Sequence, residues 1–177
     1  MRDDGFSLKT RGHSVEESTP DFSILRIHGA PQDMTERLSA AFKTQWPTAP
    51  NTISGGVCRL SPREWAIIGR SPDDIDQRIA PSCGAALFHL AHYRGGKSCW
   101  RIAGDGAPDL LSRGAQLDFH RSAFRAGAAA QTLFANVDAL VAKPGDESAF
   151  DVYVDAPYKD YMRTWLTVAS RLAADGA

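Results

Sequence analysis

The chain lacks most of the features that would assign it a chemistry by inspection. Its 20 basic residues are matched by 21 acidic ones, a net charge of −1, so it has no positive excess to attract nucleic acid. No apolar run approaches the ~20 residues that a membrane helix needs, so no membrane partner is expected. The opening Met1-Arg2-Asp3-Asp4 leads into a polar stretch without an apolar centre. That is no secretory leader, and a cytoplasmic location is the expectation. Cysteine is scarce: Cys58, Cys83 and Cys99 are odd in number and widely spaced, which is no disulfide framework. Each has apolar neighbours, and buried free thiols are the expected state.

What is present suits a globular protein. With 177 residues, 43% hydrophobic and 23% charged, the chain can bury a real core in one domain or two small fused halves. Residues 1–20 are polar, mixed in charge and end at Pro20, so they read as a flexible arm ahead of a globular domain at 21–177. From Phe22 to His28 apolar positions alternate as in a strand that stops at Gly29. Asp33 is placed to cap a helix carrying Met34, Leu38 and Phe42. Strands at 56–60 and 64–68 flank the Ser61-Pro62-Arg63 turn. Ser71 and Pro72 open a second helix, which should end before Pro81, and residues 86–93 alternate as another strand. This order is that of a ferredoxin-like split β-α-β unit.

The remainder partly repeats that layout. Strands are expected at 99–103, 129–134, 139–143 and 150–155, with a short helix at 108–112. A long helix beginning at Pro157 carries Tyr158, Tyr161, Trp165, Val168 and Leu172 as a broad apolar stripe. The fold class is α+β, two related ferredoxin-like halves at about 21–94 and 98–177 with antiparallel sheets.

The patterns that hint at catalysis fail on their own terms. Arg94-Gly95-Gly96-Lys97-Ser98 has Ala91 where a phosphate loop needs glycine, and strand rather than helix follows. Gly104-Asp105-Gly106 would put Asp109 at the third glycine of a dinucleotide fingerprint, where a carboxylate opposes a pyrophosphate. His89 and His92 point to opposite faces of a strand, with no third metal ligand beside them. Asp118, His120 and Ser122 are the residue types of a hydrolase triad, but sequence neighbours rarely make the relay geometry. Of the four tryptophans, Trp46 beside Pro47 is the best placed for exposure.

One series of residues resembles a known family. Leu60-Ser61-Pro62-Arg63-Glu64-Trp65, the region from Gly114 through Leu117-Asp118 to Thr132-Leu133, Phe150-Asp151-Val152-Tyr153-Val154 and Tyr161-Met162-Arg163-Thr164-Trp165-Leu166 together resemble the gamma subunit of heterotetrameric sarcosine oxidase. The family usually has a small residue or cysteine and then proline before Leu117; here Ala115-Gln116 stands. Asp155-Ala156 replaces its frequent Arg-Ser. The resemblance implies a fold similar to part of the aminomethyltransferase-like folate-binding proteins. It also implies a non-catalytic subunit packed against a large alpha subunit, with beta and delta subunits completing the complex. FAD, FMN, NAD, zinc and tetrahydrofolate would then belong to those partners, and the reaction would be oxidative demethylation of sarcosine or a related N-methyl amino acid. On this reading Trp46, Leu117, Asp118, Phe119 and Phe124 are expected at the partner interface. A freestanding folate-binding protein and a homodimeric structural protein are the alternatives.

Overall fold

The computed structural model describes residues 5–29, 33–145 and 147–175. In chain order the elements are β1 (Ser7–Lys9), β2 (Ser14–Ser18), β3 (Phe22–His28), α1 (Met34–Phe42), β4 (Thr52–Ser54), β5 (Val57–Ser61), β6 (Glu64–Ile68), α2 (Pro72–Cys83), β7 (Leu87–His92), β8 (Lys97–Ala103), α3 (Ala107–Ser112), β9 (Ala128–Phe134), β10 (Val137–Lys143), β11 (Ala149–Asp155) and α4 (Lys159–Asp175). A single 3₁₀ turn, Ala156–Tyr158, leads into α4. The chain forms two compact units, one of Pro20–Gly95 and one of Met1–Thr19 with Gly96–Ala177.

In the Pro20–Gly95 unit the strands run β4-β5-β6-β3-β7, each antiparallel to its neighbour. The four strands β5-β6-β3-β7 have the ferredoxin-like order, with β4 added at the edge. Met34, Leu38 and Phe42 on α1 and Ile75, Ile79 and Cys83 on α2 recur every four residues. Each helix thereby turns one apolar stripe onto Leu25, Ile27, Val57, Trp65 and Ile67 of the sheet. Ser71 caps α2 as expected, its hydroxyl accepting from the Asp74 amide at 3.3 Å. Asp33 does not cap α1: its carboxylate is taken by Arg37 Nε at 2.7 Å. Nor does Pro81 end α2, which continues to Cys83. Pro81 lies in the last turn, where one missing amide disturbs little of the ladder.

The other unit uses the same strand order, β9-β10-β11-β8-β2, with β1 paired beyond β2. Each strand has its counterpart: β8, β9, β10 and β11 stand where β3, β4, β5 and β6 stand, and α3 and α4 follow as α1 and α2 do. The strand equivalent to β7 does not come after α4. It is β2, supplied from the chain's beginning, so the unit is a permuted copy of its sister. Residues 7–9 and 14–18 are therefore paired strands and no arm. The sequence hides this because only Val15 of β2 is buried and apolar; Glu17, on the same face, meets α4 through charge.

The core here joins Val15, Trp100, Ile102, Leu110, Leu111, Val141, Phe150, Val152 and Val154 to Met162, Leu166 and Ala169 of α4. This reverses the expected face of α4. Tyr158, Tyr161, Val168 and Leu172 are 45, 45, 52 and 57% exposed, while Met162 and Leu166 are fully buried. Both sets share the helical period, and periodicity alone does not say which faces inward.

Candidate functional site

Three of the four stretches that carry the family resemblance lie in the unit of Met1–Thr19 with Gly96–Ala177; Leu60–Trp65 lies in the other. Between α3 and β9 the loop of residues 113–127 folds inward at its aromatic positions. Phe119 stacks against Phe124 at 5.4 Å and Phe150 at 5.9 Å, and both loop rings join the core. Phe119 is 1% exposed and Phe124 7%. Against the expectation of a partner contact, both rings are buried within their own unit, because the loop has enough apolar weight to seal it. Leu117 is half-buried and Asp118 exposed, so these two alone of the loop's expected contacts remain open to solvent.

Asp118, His120 and Ser122 are close, but in a turn rather than a relay. The Asp118 carboxylate accepts from the His120 backbone amide at 2.8 Å. The Ser122 hydroxyl and amide both approach His120 Nδ1, at 2.7 and 3.3 Å, so that nitrogen accepts and Nε2 carries the hydrogen. A hydrolytic relay needs serine on one ring nitrogen and the carboxylate on the other, and here the carboxylate never reaches the ring.

The loop is tied to the β9–β10 turn and to α4. Ala135 and Asn136 take positive φ, 50° and 65°. This conformation is held by the Ala135 amide donating to the Gly114 carbonyl and by the Tyr161 hydroxyl donating to the Ala135 carbonyl, each at 2.8 Å. Trp165, half-buried, packs edge-on against Phe134 at 5.1 Å. The exposed side of α4 begins at this junction. At 100° per residue Tyr161, Val168 and Leu172 fall within about 40° of one another, with the buried residues roughly a quarter turn away. The result is an outward apolar strip along α4.

The Pro20–Gly95 unit has a separate cleft of about 800 Å³ next to α1, bordered by Glu36, Trp46, Arg59, Arg63 and Trp65. Trp46 is 1% exposed and packs on Phe42 and Trp65 at 5.1 and 6.0 Å. Its expected exposure is thus corrected: the segment after α1 folds back across the sheet. Arg59 lies 5.1 Å from the Trp65 ring, and its guanidinium is spent on the carbonyls of Thr48, Ser61 and Pro62. The Ser61-Pro62-Arg63 turn is thereby a brace for the cleft wall.

Strand β7 sends His89 and His92 to opposite faces; His92 bonds Ser23 at 2.7 Å and Asp76 at 3.1 Å. Among the described residues no group of three His, Cys, Asp or Glu side chains is placed to hold a metal. The Gly95-Gly96 turn runs straight into β8, and Lys97 pairs with Asp155 at 2.5 Å, which leaves no phosphate cradle there. All three cysteines are buried and free, and burial pushes the Cys58 and Cys99 thiols up to about 12.

Paired ferredoxin-like units define the class. A solved aminomethyltransferase T of the glycine cleavage system from Bartonella henselae shares the fold with a TM-score of 0.60 at 12% identity; the match covers 89% of this chain and 47% of that longer one. The heterotetrameric sarcosine oxidase of Corynebacterium sp. U-96, solved with pyrrole 2-carboxylate, contains a chain similar with a TM-score of 0.80 at 20% identity, covering 94% of this chain and 88% of its own. No curated protein matches the chain. Residues 34–172 match the sarcosine oxidase, gamma subunit family, and the chain belongs to that family.

Proposed function

We propose that the chain is the small, non-catalytic subunit of a heterotetrameric sarcosine oxidase-type complex, and that it docks on the largest subunit. Membership of the gamma family over residues 34–172 carries the reading. The outward strip of Tyr158, Tyr161, Val168 and Leu172, with Leu117 and Asp118 on the neighbouring loop, supplies the docking face. A contiguous row of exposed apolar side chains suits a partner surface better than water. Phenol hydroxyls at its margin suit an interface that is apolar at the centre and wet at the rim.

The complex would oxidatively demethylate sarcosine or a related N-methyl amino acid, with tetrahydrofolate taking the one-carbon unit. Among the described residues no three His, Cys, Asp or Glu side chains are grouped to hold the zinc that such a complex uses. Under this reading the zinc, the flavins and NAD sit in the alpha, beta and delta subunits, and this chain contributes shape and stability. The fold shared with aminomethyltransferase T favours a freestanding folate-binding protein as the second reading.

Co-expression with the three partner chains tests the proposal. The expected product is a single complex with flavin absorption that oxidises N-methyl amino acids. The double variant Val168→Glu, Leu172→Glu should keep the fold of the free chain, since both side chains are exposed, and should fail to enter the complex. Failure of the unaltered chain to co-purify would overturn the subunit reading. Normal assembly of the double variant would move the interface elsewhere. Tight tetrahydrofolate binding by the free chain would favour the second reading.

A further inference from the structure

Behind the Asp118–Phe124 loop lies a pocket of about 400 Å³, lined in part by Asp105, His120, Arg121, Lys143 and Ser148. Lys143, the last residue of β10, is only 5% exposed. Its ammonium donates one long hydrogen bond, 3.4 Å, to the Phe124 carbonyl and lies 5.2 Å from the Phe150 ring centroid. An ammonium has three hydrogens to donate, and a ring face and one carbonyl do not use them. Among the described residues no carboxylate forms an ion pair with it. A cation so far out of water, with no ion pair among the described residues, is costly.

The geometry points to a binding site for a small carboxylate, with Lys143 as its buried counter-ion. A carboxylate oxygen in the pocket accepts from the spare Lys143 hydrogens. Arg121, His120 and Ser148 line the same pocket, and their side chains carry further donors. Asp105 opposes a second negative charge, so the site selects a monoanion over a doubly charged phosphate. It also offers a partner to an ammonium on the ligand, as in an amino acid.

Acetate and glycine are the probes, titrated into the full chain by calorimetry at ionic strength fixed with chloride. Saturable binding in the millimolar range is expected. Lys143→Met keeps the volume, and replacing an unpaired buried charge with an apolar group leaves the fold intact; it should weaken binding at least about tenfold. Arg121→Gln, on the exposed rim, should weaken it about threefold. Far-ultraviolet circular dichroism confirms that both variants are folded. Equal affinity in Lys143→Met overturns the proposal. So does the absence of saturation in the unaltered chain, which would assign the buried cation to a carboxylate side chain of a partner subunit instead.

Discussion

Arg163 of α4 holds Glu17 of β2 with two guanidinium nitrogens, Nε at 2.7 Å and Nη2 at 3.1 Å, across 146 residues of sequence. Lys159 adds a third contact at 2.6 Å, and the Glu17 side chain is 2% exposed. The cations are half-exposed while the carboxylate is buried, so the carboxylate is the member that needs the others. Glu17→Ala should cost about 2–3 kcal/mol, below the upper range for broken buried pairs because both cations can turn to water. Lys159→Ala should cost less, since Arg163 stays in place. Urea unfolding of the three proteins checks the order.

Gly114 is required by space. A Cβ built there would sit 2.6 Å from the Phe134 ring and 2.9 Å from Trp165, both held in the junction of loop, turn and helix. Gly114→Ala should therefore destabilise by about 1–3 kcal/mol through overpacking, seen as a lower midpoint of thermal unfolding. Removing the Tyr161 hydroxyl with Tyr161→Phe should cost about 1 kcal/mol, the worth of one hydrogen bond.

Phe119→Ala separates core from interface. The ring is buried among Phe124 and Phe150, and its loss should cost about 3–5 kcal/mol of stability in the isolated chain. An unchanged denaturation midpoint combined with lost assembly would return Phe119 to the partner surface.

Asp151 gives the fold a pH dependence. Burial pushes its carboxyl above the usual 3.8, while the Arg101 guanidinium at 3.2 Å pulls the other way. The folded state thus holds this proton more tightly than the unfolded state. The associated stability is complete below about 3.8 and is lost as the pH rises through the raised folded value. Asp151→Asn should gain on the unaltered protein as the pH climbs through that window, and the gap should then stay constant to neutrality. Denaturation measured at a series of pH values shows whether the two curves diverge in that sense.

Much of the fold was legible because its signals are local. The alternation of Phe22–His28, the limits of β6 at Glu64–Ile68 and the Ser71-Pro72 start of α2 stand in the structure as read from the sequence. What was hidden is decided by distant partners. β2 has one buried apolar side chain and a glutamate whose reason lies on α4, so no window of a few residues identifies it as a core strand. The outward face of α4 carries more aromatic weight than its buried face, which reverses the usual rule. Phe119 and Phe124 sit in a loop, where aromatics suggest contact with a partner, yet they plug their own unit. Lys143 at the end of an apolar strand gave no signal, because a buried cation and an exposed one read alike.

The permutation sets the order in which the chain becomes a protein. Residues 20–95 form a contiguous unit, and everything it needs has left the ribosome before the second half is made. The sheet that β2 belongs to does not exist until β8 has been synthesised, and Glu17 waits for Arg163, in the second turn of α4. β2 is thus translated well before the partners on which it docks. During synthesis its unpaired edge is kept safe by the same glutamates and serines that disguised it in the sequence, because a strand rich in charge and hydroxyls is a poor template for aggregation.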